Sequence, residues 1–157
     1  MPALHRATRE GHLNLVQLLV EAGASIDRKI APMSLSPLLI AVNRGLLDIA
    51  IYLISKGADI NAENSIGWNA LRIAVESRNV PMASMLLDKK ARVRDAGQMY
   101  ESAKEDLMKE LVFNAALQAK GNVIASIYIK HILTHINILP NLSPTKYLTL
   151  SINIPLN

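Results

Sequence analysis

Residue types able to do chemistry are few in this 157-residue chain, and they are scattered. His131 and His135 stand four apart, a spacing that places two imidazoles on one helix face, as zinc ligands require. Ile132, Leu133 and Thr134 lie between them, so the glutamate of an HExxH site is missing, and no third ligand suggests itself. His5 would serve as a base only beside an oriented nucleophile. Asp48, Asp59 and Glu63 fall at expected helix starts or loops, where capping and solvation account for acids. The seven glycines stand singly and form neither GxGxxG nor GxxxxGK, so there is no phosphate loop, and no GxSxG elbow offers a serine nucleophile. With no cysteine, thiol catalysis, disulfides, Cys-ligated zinc and iron–sulfur clusters are excluded. No catalytic residue, metal ligand or cofactor is expected, and the chain is not expected to be an enzyme.

The elements that carry these residues follow from composition and period. Half the residues are apolar but only 4% are aromatic, which suits helices packed through Ala, Leu, Ile and Val better than a sandwich of strands. The start, MPALHRATREGH, lacks a basic region leading into a long apolar core, so no signal peptide is expected. The stretch from Val123 to Leu139 is broken by Lys130, His131 and His135, too short and polar for a membrane span. An intracellular, cytoplasmic, monomeric protein is the expectation. The net charge of +4 raises nucleic acid as a partner, but the one dense basic cluster, Lys89, Lys90, Arg92 and Arg94, is flanked by Asp88 and Asp95. No aligned cations with interleaved aromatics are legible, which argues against nucleic acid.

Self-similarity is the strongest signal. Residues 2–27, 36–61 and 69–94 align with offsets of 34 and 33 residues. Leu4, Leu38 and Leu71 share one register, as do Ala7, Ala41 and Ala74, followed by the pairs Leu18-Leu19, Tyr52-Leu53 and Met85-Leu86. A fixed period in this range means stacked units that cannot bury their apolar faces alone. Ser36-Pro37 reads as a helix start, a capping hydroxyl followed by a proline at the first helical position. Gly11 and Gly45 stop a first helix at left-handed positions, and Gly23 and Gly57 stop a second. That second helix carries Leu15, Val16, Leu18 and Leu19 in one unit and Ile49, Ala50, Tyr52 and Leu53 in the next, each set on one face.

PALHRA followed by GHLNLVQLLVEAGASID, and SPLLIA followed by GLLDIAIYLISKGADIN, resemble the ankyrin repeat, with GWNALRIA and LLDKKA as a weaker third copy. The resemblance covers residues 1–94. It implies an all-α helix–turn–helix solenoid with short β-hairpin-like finger loops, no catalytic role, and binding through fingertips and inner helices. It also implies a structural hydrogen bond for His5. The histidine position becomes Leu39 and Arg72 in the later units, and Ser34 stands where Gly67 keeps the finger glycine, with one extra residue in that loop. Arg78 and Lys90 occupy the two helix-ending glycine positions of the third unit. If those backbones stay left-handed, each substitution costs on the order of 1 kcal/mol, and the third unit is expected to be less regular at its turns, though not absent.

On this register Trp68, the only tryptophan, sits just after Gly67 on a fingertip. It is expected either to anchor a partner through its large rigid ring or to pack on the adjacent finger or on Met33. Glu63, Ser65 and Ile66 beside it, and Ile30, Pro32, Met33 and Leu35 of the preceding finger, make a mixed apolar surface. Asn43-Arg44 and Glu76-Ser77 end the inner helices and line the same concavity. An apolar patch rimmed by charge fits a protein-binding groove. These twelve residues are the expected partner-binding set.

Beyond residue 94 the pattern breaks and returns: residues 121–137 align without a gap to residues 45–61, with Leu133 replacing the terminal glycine. The segment 95–137 is read as an inserted, extended helix, MYESAKEDLMKEL, leading into a degenerate fourth repeat. The apolar tail 138–157, with Pro140, Pro144 and Pro155, is either a cap or disordered.

The expected function is a non-catalytic scaffold or adaptor that binds a protein partner. Two alternatives stand beside it. Residues 136–148, INILPNLSPTKYL, faintly resemble the end of a SOCS box, which would imply a ubiquitin-ligase substrate adaptor, although the cysteine-containing helix of that box is missing. The incomplete first unit suggests the targeting portion of a larger enzyme or effector.

Overall fold

The computed structural model describes residues 1–93 and residue 99. Those residues form six helices: α1 (Ala3–Glu10), α2 (Leu13–Glu21), α3 (Pro37–Asn43), α4 (Leu47–Ser55), α5 (Ala70–Glu76) and α6 (Val80–Asp88). Each is seven to nine residues long, below the roughly 12–15 residues at which an isolated helix becomes even marginal in water. Their stability is therefore tertiary. Consecutive helices pair, α1 with α2, α3 with α4 and α5 with α6, while α1, α3 and α5 pack in an inner row and α2, α4 and α6 in an outer one. The fold is an all-α solenoid of three helical hairpins over the described residues. The inserted helix and fourth repeat expected over 95–137 and the tail 138–157 lie outside them, with His131 and His135.

Local sequence explains where the helices start. Ser36 Oγ accepts the Leu39 N–H at 3.3 Å with Pro37 in the first turn of α3. Asn69 Oδ1 accepts from Arg72 N at 2.9 Å at the head of α5, and Asn79 Oδ1 from Met82 N at 3.0 Å at the head of α6. Each cap satisfies a donor that has no partner inside its helix.

Each hairpin turn uses one backbone device. Gly11, Gly45 and Arg78 all have positive φ (79°, 71° and 53°) and donate their N–H to Thr8, Val42 and Val75 carbonyls. The next N–H in each case, from His12, Leu46 and Asn79, reaches back to Ala7, Ala41 and Ala74. Lys90 repeats the φ of Gly23 and Gly57 at 64°, with its N–H on the Leu87 carbonyl. Ser34 likewise takes a left-handed φ of 52° at the finger position held by Gly67 in the next unit. The repeat geometry is thus kept with the wrong residue at three turns.

Leu4, Leu38 and Leu71 and the alanines Ala7, Ala41 and Ala74 are all buried between inner helices. The alanines are small because the inner helices approach one another there. On the outer row the expected single apolar face is only partly covered. Val16 is buried and Leu19 half-buried, but Leu15 and Leu18 are 44% and 63% exposed. Their equivalents Ile49 and Tyr52 are buried and half-buried. The difference is positional: α4 lies between α2 and α6, whereas among the described helices α2 packs in the outer row against α4 on one side.

Side chains also tie one unit's loop to the next. Asp27 Oδ1 accepts the Asp59 N–H at 2.9 Å, and its equivalent Asn61 Oδ1 accepts the Arg92 N–H at 2.8 Å. A carboxylate and an amide oxygen do the same work because only an acceptor is needed.

Candidate groove and fingertips

The first finger is closed by one antiparallel bridge, in which Ile30 and Leu35 exchange N–H···O bonds of 3.0 and 3.1 Å. The second is organised by Asn64, whose buried side-chain oxygen accepts the N–H groups of Ile66 (3.1 Å) and Trp68 (2.9 Å), while its own N–H donates to the Trp68 carbonyl. The two fingers are joined by the Ser65 N–H on the Met33 carbonyl at 3.0 Å and by Lys29 Nζ on the Glu63 carbonyl at 2.7 Å. They form one shelf rather than two independent loops.

His5 sits beneath this shelf. Fully buried, its Nε2 donates to the Arg28 carbonyl at 2.6 Å, which pins the loop after α2 to the inner helix α1. Nδ1 is buried without a hydrogen bond. Burial holds the His5 pKa below the ordinary histidine value, and the Arg28 charge adds to that, while the carbonyls of Arg28 and Leu35 pull the other way. The folded pKa is the lower one, so the unfolded chain binds the proton more readily. The stability contributed by neutral His5 is complete above the unfolded value of about 6.5. It is lost as pH falls from there through the folded pKa. Urea midpoints of the wild type should therefore drop between neutral and mildly acidic pH, and a His5→Gln variant should lose most of that slope. Equal slopes would exclude His5 as the cause.

Between the first finger and the inner helices lies a concave groove of about 600 Å³. Ile30, Pro32 and Leu35 of the finger and Asn43 and Arg44 at the end of α3 all line it, together with Arg9, Arg28, Lys29 and Ile40. Five of the twelve expected residues therefore share one cavity. Met33 and Ile66 are exposed at the fingertips, 40% and 55% respectively, and Ser65 is exposed between them. Glu63 is half-buried at the base of the second finger. Ser77 is exposed after α5, and Glu76 is half-buried in an ion pair with Arg72 at 2.8 Å. Trp68 is half-buried, packed against the core, with the Arg72 guanidinium 5.5 Å from its ring centre. Its indole belongs as much to the scaffold as to the surface.

Sequence reasoning passed over Arg9, Arg28 and Lys29. A signal for Arg9 existed: it occupies the register of Asn43 and Glu76, one repeat and two repeats on. Arg28 and Lys29 had no such signal, because only the fold of the loop brings them beside Arg44. Asn64 was also passed over, since an asparagine in a loop gives no hint that two N–H groups converge on it. Among the described residues no three His, Asp or Glu side chains come together as a metal site, and no helix is long and apolar enough to cross a membrane.

A family model described as ankyrin repeats (3 copies) matches residues 4–96. Protein phosphatase 1 regulatory subunit 27 of Homo sapiens is 46% identical over 67 residues, 43% of this chain and 43% of that protein. The putative palmitoyltransferase ZDHHC13 of Danio rerio is 31% identical over 86 residues, 55% of this chain but 13% of that protein. The nuclear factor NF-kappa-B p105 subunit of Mus musculus is 35% identical over 92 residues, 54% of this chain and 9% of that protein. The chain spans less than half the length of these curated relatives.

Proposed function

We propose, from the premise that this chain belongs to the ankyrin-repeat family, that it is a non-catalytic scaffold or adaptor which binds a protein partner through its finger shelf and inner helices. The observation that carries this reading is the shelf itself. Two fingers are hydrogen-bonded to one another and present Met33 and Ile66 to solvent above a groove lined by Ile30, Pro32 and Leu35. Exposed aliphatic side chains held on a rigid, backbone-bonded edge bury apolar area on contact at little conformational cost. That one relative is named as a regulatory subunit of a phosphatase supports a binding rather than a catalytic role. A cytoplasmic setting and a monomeric state belong to the same proposal.

Proximity labelling with the wild type and with a Met33→Asp/Ile66→Asp variant tests it. Placing two carboxylates at the centre of a desolvated contact should weaken binding at least tenfold, or by about 1.4 kcal/mol or more. Both positions are exposed, so the helical circular dichroism and melting temperature should stay near wild type. Partners retained at full yield would refute the fingertip surface.

A second reading has a specific observation behind it. The relatives include a putative palmitoyltransferase and a glycerophosphocholine phosphodiesterase, of which the matched stretch is 13% and 7% of the length. In this reading the repeats are the targeting part of a larger enzyme, and the flanking coding sequence decides it.

A further inference from the structure

The groove beside the first finger carries a charge that the overall composition conceals. We infer that it accepts an acidic, aliphatic-containing stretch of extended polypeptide in the partner protein. This rests on the protein-binding reading above and names the chemistry of the ligand.

Arg9 lies in the last turn of α1, Arg28 and Lys29 lie in the loop after α2, and Arg44 caps α3, yet all four line the same groove of about 600 Å³, which no Asp or Glu lines among the described residues. Arg9, Arg28 and Arg44 make no ion pair with a carboxylate among the described residues, and Lys29 Nζ is held by a backbone carbonyl. Like charges gathered in a concavity repel one another and raise its positive potential, so a ligand bearing carboxylates is drawn in and relieves the repulsion. Three of the four cations are arginines, whose planar fork matches a carboxylate with two parallel hydrogen bonds.

Ile30 and Leu35 supply apolar surface between the cations, which adds aliphatic side chains to the ligand's description. The groove also has polarity. The positions equivalent to Arg9 and Lys29 in the third unit are Glu76 and Glu63, so the cationic character belongs to the first two units alone. A nucleic acid strand fits less well, because single-strand sites add aromatic platforms for the bases. Tyr52 and Trp68 are the aromatic residues among those described, and neither lines this groove. The volume suits a few residues of extended chain rather than a folded domain.

The test is a selection of random dodecapeptides displayed on phage against the full chain. Enriched sequences should be net negative with interspersed aliphatic residues. One enriched peptide, resynthesised with fluorescein, should bind at least tenfold more weakly to an Arg28→Gln/Arg44→Gln variant, and more weakly as salt rises from about 50 to 300 mM. An Arg78→Gln/Lys89→Gln variant, which removes the same charge away from the groove, should bind as wild type does. Circular dichroism and Trp68 emission of both variants should match wild type. Neutral or basic peptides whose binding is lost on Met33→Asp/Ile66→Asp would overturn the acidic ligand while leaving the protein-binding reading intact. Groove-dependent capture of fluorescein-labelled oligouridine with no peptide enriched would overturn it in favour of nucleic acid. Peptides indifferent to both groove and fingertip substitutions would overturn both readings.

Discussion

Leu38→Ala should lower the free energy of unfolding by about 3 kcal/mol, within the range of roughly 2–5 kcal/mol seen for buried leucine truncations. Leu38 is wholly buried, and its helix α3 packs against α1 on one side and α5 on the other. The truncation therefore opens a cavity in the centre of the inner row. Against a total stability of about 5–15 kcal/mol such a loss is large. In a solenoid each unit is held by its neighbours, so weakening the middle one also loosens the coupling of the two that flank it. Trp68, the only tryptophan, reports the third unit, whereas far-UV circular dichroism reports every helix. Urea transitions by the two probes should coincide in the wild type and separate in Leu38→Ala. Leu4→Ala, whose helix α1 has an inner-row neighbour only in α3 among those described, should cost less. A loss under about 1 kcal/mol for Leu38→Ala would contradict the stacked core.

The second large effect has the opposite sign. Arg78→Gly/Lys90→Gly should stabilise the chain by about 1–2 kcal/mol, because a left-handed residue with a Cβ costs roughly 1–2 kcal/mol and glycine returns part of that through its freer unfolded state. Both residues have positive φ, 53° and 64°, in turns whose hydrogen bonds match those of the glycine-bearing units. Both are exposed, and neither makes an ion pair among the described residues, so little packing is lost with the side chain. The reverse substitution, Gly45→Ala, should destabilise: it adds the same strain and sets a Cβ 3.3 Å from Asn79 Nδ2, the side chain that caps α6. Thermal melts of the double-glycine variant and of Gly45→Ala check both signs. A melting temperature unchanged or lowered in the double variant would mean that those turns carry no strain.

The repeat was legible because one-dimensional period and three-dimensional stacking are the same fact in a solenoid. Leu4, Leu38 and Leu71 share a register, and therefore share a buried environment. The positions of the turns were legible, but the third unit's turns are not the less regular ones expected: Arg78 and Lys90 take positive φ and keep the hydrogen bonds of the glycine-bearing units. The outer face of α2 was not. Leu15 and Leu18 follow the apolar pattern of Ile49 and Tyr52, but pattern says nothing of how many neighbours a helix has. Of the expected binding surface, Ile30, Pro32, Leu35, Asn43 and Arg44 do line one groove. Trp68 was ambiguous because a ring that follows a turn glycine can face solvent or fold back onto its own helix, and the placement of Arg72 over it, one helical turn on, settles the geometry.

From the amino-acid order alone come the helical hairpin, its period, the Ser36 cap and the buried registers of the inner helices, since each depends on residues within one repeat or one turn of each other. Only the tertiary structure decides the charge of the groove. Arg9, Arg28, Lys29 and Arg44 belong to three separate segments, and a field in space sums over distance through the fold rather than along the chain. Their convergence follows from His5 tying the Arg28 carbonyl to the inner helix and from the bridge that closes the first finger, contacts that no local pattern encodes.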